Sequence, residues 1–180
     1  MTSKINNLRP GSCISADHYF SPIKGCLPQS FGQKQIGYSC GSLFVSHASG
    51  KIFNFPQYSN TADETIKSAI KLEALARDEG FRIKEYHSDN GIFLSAEFKS
   101  HCDRNQTKYS LSGVGAKHMN GVVKRNIKTI MQWARANMLH LAQSWPQHAD
   151  PKYWLQAINY ATWVFNHLPK RALVGGAHSR

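Results

Sequence analysis

The chain has 180 residues, 41% of them hydrophobic, and carries a formal net charge of +11 with an isoelectric point near 9.7. That is one domain's length with enough apolar material for a core, which excludes a disordered tail. No apolar run approaches bilayer-spanning length and MTSKINNLRP has no signal-like apolar region, so the expectation is a soluble intracellular protein, nuclear or cytoplasmic, neither secreted nor bound to a membrane.

In chain order, SCISADHYF (12–20) reads as a strand with Asp17 inside it, and 21–35, rich in Pro and Gly, reads as a loop. GYSCGSLFV and KIFNFP predict two further strands joined by a turn at Ala48-Ser49-Gly50. Thr61 and Glu64 have capping-box spacing, and Ile66, Ala69, Leu72 and Ala76 recur at helical intervals up to Gly80. FRIKEYH (81–87) predicts a strand, followed by the turn Ser88–Gly91, a short helix from near Ser95, and a short strand over Tyr109–Leu111. A long helix follows, with Val123, Ile127, Ile130, Ala134, Met138 and Leu141 as its core stripe. A last helix starts at Asp150-Pro151, presents Trp154, Ala157, Ile158, Ala161, Phe165 and Leu168, and stops at Pro169. Three strands, helix, strand, helix, strand and long helix make an α/β pattern with a mixed sheet. Core packing is the expected role of Trp133, Trp145, Trp154 and Trp163, which fall mostly on apolar helical faces.

Charge is unevenly spread. There is no Asp or Glu between Asp103 and Asp150, yet Arg104, Lys108, Lys117, Lys124, Arg125, Lys128 and Arg135 all lie there. Such an excess points to a polyanion, most simply nucleic acid. Lys124, Lys128 and Arg135 share one stripe of the long helix at 3.6 residues per turn. Lys124 and Arg125 are odd, because a helix N-terminus favours carboxylates over cations. The four cysteines form no C-x-x-C pair, and the scattered histidines form no local metal motif.

Two acids stand out. Asp17 lies in an otherwise apolar strand, where a charge is costly unless paired or holding a cation. Asp89 lies just past a strand end, and carboxylates converging at a sheet edge can hold Mg²⁺. Simpler readings are also open: an edge-strand Asp facing water, and an ordinary Asp-Asn-Gly turn.

The strings SADHYFSP, YHSDNGIFLSAEF and GVGAKHMNGVVKRNIKT, in that order, resemble the catalytic core of copia-type retrotransposon integrases over roughly residues 10–143. The helix ending in FNHLP is similar to the one that follows that core. The resemblance implies an RNase H-like fold, a mixed five-stranded sheet flanked by helices with a C-terminal helical extension, and a triad of two Asp and one Glu. It also implies Mg²⁺ or Mn²⁺ as cofactor and processing and strand transfer of element ends into target DNA. Asp17 and Asp89 match the first two triad positions. Lys124 stands at the Glu position, and 34 residues separate it from Asp89, one fewer than usual in that family, so strict counting selects Arg125 instead. Either way a cation replaces a carboxylate, which leaves the expected enzyme impaired, its metal weakly bound and its Lys124 ammonium bridging the two aspartates. Glu97, the nearest spare carboxylate, matches an ordinary position outside the triad.

The expected organisation is a tail (1–9), a core (10–145), a helical extension (146–169) and a second tail (170–180), with no His/Cys module or basic C-terminal domain, as in an excised or decayed polyprotein fragment. DNA would be held by Lys117, Lys124, Arg125, Lys128 and Arg135, with self-association open. The alternative reading is a non-catalytic nucleic-acid-binding remnant of the same fold.

Overall fold

The computed structural model describes residues 8–27, 37–89, 91–111 and 120–169. Its sheet has five strands: β1 (Ile14–Gly25), β2 (Tyr38–Ser46), β3 (Ile52–Gln57), β4 (Glu85–Ser88) and β5 (Lys108–Leu111). They lie in the order β3-β2-β1-β4-β5, with β1, β2 and β3 antiparallel and β1, β4 and β5 parallel. Four helices flank them: α1 (Ala62–Asp78), α2 (Ala96–Arg104), α3 (Gly121–Ser144) and α4 (Trp154–His167).

Two-residue alternation along the strands sorts side chains between two cores. Ile14, Ala16, Phe44 and Tyr86 join Ala69, Leu72, Phe98 and Cys102 of α1 and α2. Tyr19, Leu43 and Val45 join Val123, Ile130 and Ala134 of α3 and Ala157, Ile158 and Ala161 of α4. The predicted stripes of α3 and α4 are therefore largely those that pack. Thr61 caps α1 by accepting from the Glu64 amide, and Asp150 accepts from the Lys152 amide, capping a 3-10 turn that leads into α4.

Several expectations are corrected. β1 does not stop at residue 20 but runs through Pro22 to Gly25, with a register irregularity after Phe20. Packing holds it: the Trp154 indole N–H donates to the Ile23 carbonyl at 2.8 Å, and a Cβ on Gly25 would come within 2.7 Å of that ring. Bulge-like irregularity is where a strand tolerates proline. β4 starts only at Glu85, because residues before it meet another segment: the Lys84 amide donates to the Gly11 carbonyl. Gly11 has φ +76°, and a Cβ there would lie 2.2 Å from the Arg82 carbonyl oxygen. Leu168, Trp145 and Trp163 are exposed rather than packed, whereas Trp133 and Trp154 pack against the α3–α4 core.

Candidate functional site

The parallel register aligns Ser15 with His87 and Ala16 with Ser88. Asp17 is the next residue of β1 and Asp89 the first beyond β4, close enough to interact electrostatically; alternation turns Asp17 towards the face on which α3 packs. β1 is the central strand of the sheet, so Asp17 is not an edge residue facing water. It is half-buried and accepts the His18 amide at 2.8 Å. Burial raises its carboxyl above the ordinary range; the His18 amide and the Lys124 charge pull it down, and Asp89 pushes it up again.

The start of α3 is fixed by Asn120. This buried residue does not cap the helix with its side chain; its Nδ2 instead donates to the Ala16 carbonyl at 3.3 Å. Asn120 thus ties α3 to the strand position next to Asp17. One turn on, the Lys124 ammonium forms an ion pair with the Asp89 carboxylate. That hydrogen bond is the main reason its pKa is raised, ahead of the opposing effect of burial. The expected bridge is corrected in one respect: Lys124 bonds Asp89, while Asp17 feels it only electrostatically and spends an oxygen on the His18 amide. Arg125 points elsewhere and is exposed, so the residue that enters the acid pair is Lys124.

A hard divalent cation needs several anionic or carbonyl oxygens. Here one carboxylate already carries an ammonium, and a protonated lysine has no lone pair to coordinate with. Glu97 is exposed in the first turn of α2, whose Phe98 and Cys102 pack on the other face of the sheet. Among the described residues no group of three or more His, Cys, Asp or Glu could hold a metal ion. The donor set does not fit a two-metal centre.

Lys124, Lys128 and Arg135 lie within about 40° of one another around α3, at 100° per residue. Arg125, Lys128 and Arg135 are exposed and make no ion pair among the described residues, whereas Lys124 is spent on Asp89. Lys117 lies outside the described residues. The exposed rings of Tyr160, Trp163 and His167 stack along α4, but that helix contains no Lys or Arg. A stacking platform for single-stranded nucleic acid combines aromatics with a cationic groove, so this row is incomplete as one. The residue that sequence reasoning missed is Asn120; its signal was an Asn before the Gly-Val-Val of a helix start, read only as part of a motif.

The sequence matches no family profile. The fold is similar to the magnesium-bound catalytic core domain of HTLV-2 integrase. For its dimeric form the TM-score is 0.62 and the identity 23%, with 90% of each chain covered. The trimeric form gives 0.63 and 22%, covering 91% of this chain and 90% of that one. A chain of the simian T-cell lymphotropic virus intasome, in complex with the PP2A regulatory subunit B56 gamma, gives 0.68 and 19%. There 93% of this chain is covered but only 52% of the other, so the chain spans about half its length. The sheet and its four flanking helices are the RNase H-like fold of integrase catalytic cores.

Proposed function

We propose that the chain is an integrase catalytic-core domain of the copia retrotransposon type that binds DNA and is impaired as a polynucleotidyl transferase. The observation that carries this reading is the Lys124–Asp89 ion pair beside Asp17, at the sheet end where the sequence motifs call for three carboxylates. Metal-assisted transfer uses two cations about 3.5–4 Å apart to clamp attacking and leaving oxygens. Asp17, Asp89 and Lys124 together sum to −1, which is too little negative charge for two divalent ions. Mg²⁺ or Mn²⁺ is accordingly weakly held. The HTLV-2 cores are described as dimeric and trimeric, which supports self-association. The intasome likeness supports DNA, as element ends and target, as the partner.

A second reading, a purely binding remnant, is favoured by the lack of any replacement carboxylate near the pair among the described residues. Lys124→Glu separates the two. In the unmodified protein, Mg²⁺ should leave the melting temperature nearly unchanged and strand transfer should be absent. In Lys124→Glu, the metal-free protein should melt lower, and Mg²⁺ should raise its midpoint by a few degrees, about 2–4 °C for each kcal/mol of linked binding. Recovery of any strand transfer in that variant supports the impaired-enzyme reading over the remnant. Robust transfer by the unmodified protein would sink both.

A further inference from the structure

We propose a second nucleic-acid contact at the opposite end of the parallel strands, in the cleft where residues 82–84 enter β4. The cleft has a volume of about 440 Å³ and is lined by Ser12, Arg82, Lys84, Glu85, Gln106 and Lys108 around Ile83. Three cations face one acid. Glu85 is half-buried and accepts the Ser110 hydroxyl at 2.6 Å; it keeps its charge, so the cleft carries a net charge of about +2, three cations less one acid. Lys84 and Lys108 are exposed and make no ion pair among the described residues.

The backbone beneath these cations is fixed. The Lys108 amide donates to the Lys84 carbonyl at 2.8 Å, and the Lys84 amide to the Gly11 carbonyl at 2.8 Å. Arg82 is pinned across the edge of the cleft by its bond to the Asn105 carbonyl. A neighbouring cleft, which shares Arg82 and Ile83, adds Arg77. Its acid, Glu73, accepts the Tyr86 hydroxyl and the Asn105 amide and lies 3.0 Å from His101 Nε2. Four cations against two carboxylates leave the two adjoining clefts with a net charge of about +2 on ordered segments, and a phosphate backbone binds such a surface by releasing counterions.

This surface is not part of the acid-pair site. Lys84 lies five positions before Asp89, roughly 16 Å of extended chain at about 3.3 Å per residue. It is also independent of α3, which packs on the face that holds Asp17. A chain with both surfaces can contact two nucleic-acid segments at once.

The test is duplex-DNA affinity over a series of salt concentrations for the unmodified protein and three variants: Lys84→Gln/Lys108→Gln, the same with Arg82→Gln, and Lys128→Gln/Arg135→Gln on α3. Both cleft variants should bind more weakly, and the slope of log affinity against log salt should flatten by about 0.9 for each phosphate no longer neutralised. The double variant leaves the Arg82–Asn105 bond intact, so an unchanged melting temperature distinguishes weaker binding from impaired folding. Cleft variants with unaltered affinity and slope would overturn the inference, as would an α3 variant that alone abolishes binding. An α3 variant without effect, beside weakened cleft variants, would instead count against the α3 surface and leave the cleft standing.

Discussion

A lysine in the first turn of a helix meets the positive end of the helix dipole, worth about 0.3–1 kcal/mol against it near a surface. Lys124 is held there because Asp89 supplies the opposite charge, and the same ion pair removes one carboxylate from metal chemistry. Charge is handled differently at His47, where the hairpin between β2 and β3 turns. Its Nε2 lies 2.6 Å from the Ser15 hydroxyl, and burial lowers its pKa, helped by His87 and opposed by Glu85. A depressed folded pKa means that the unfolded chain takes up the proton first as pH falls. The contribution is therefore complete above the ordinary histidine value of about 6.5 and is lost as pH drops from there towards the folded pKa. His18, pushed down to about 4 by burial, has the same sign. His47→Gln should remove part of this dependence, so that unfolding free energy declines less steeply between about pH 7 and pH 5. Denaturant titrations at several pH values measure it, and equal slopes for variant and parent would refute the assignment.

β3 is an edge strand, and edges expose unpaired backbone groups. Here α4 covers the edge: Asn166 accepts from the Ile52 amide at 2.9 Å and donates to the Ile52 carbonyl at 2.7 Å. Asn159 adds a bond to Asn54, which also accepts the buried Tyr19 hydroxyl. Asn166→Ala would strand the polar backbone of a buried residue and should cost roughly 1–3 kcal/mol, read as a lower denaturation midpoint at unchanged m-value. Full stability in that variant would show that water or another group replaces the side chain. The amphipathic periods of α1, α3 and α4 and the alternation in β2 and β3 were legible in the sequence, because burial repeats there at 3.6 or 2 residues. The FNHLP ending was legible only as a motif. Its Asn acts on Ile52, 114 residues earlier in the chain, and such a bond leaves no periodic trace. Asn120 and the continuation of β1 under Trp154 were hidden for the same reason. At the site, the acids and the displaced charge were legible, but not which aspartate the lysine would choose; that depends on the rotation of α3, which Asn120 sets through the Ala16 carbonyl.

For the whole molecule, a net charge of +11 predicts attraction to any polyanion, and what distinguishes one mode of binding from another is which cations act. Along α3, Lys128 and Arg135 extend the stripe away from the acid pair, about 16 Å from Lys124 to Arg135 at 1.5 Å per residue, and both are exposed without an ion pair among the described residues. Lys124 shares their stripe, but its charge is cancelled locally by Asp89. If phosphate contacts dominate binding, each free cation that touches the backbone contributes about 0.9 to the salt slope and a cancelled one contributes nothing. Lys128→Gln/Arg135→Gln should therefore flatten the slope by roughly 1.8 and weaken binding similarly for unrelated duplex sequences, since phosphate contacts carry no base information. Lys124→Ala/Asp89→Ala removes a cation and an anion together and should leave both affinity and slope close to those of the unmodified protein. Fluorescence anisotropy from low to moderate salt compares the two. A slope reduction in the Lys124/Asp89 pair as large as that in the α3 pair would mean that Lys124 leaves Asp89 to bind phosphate, and that the site opens when DNA arrives.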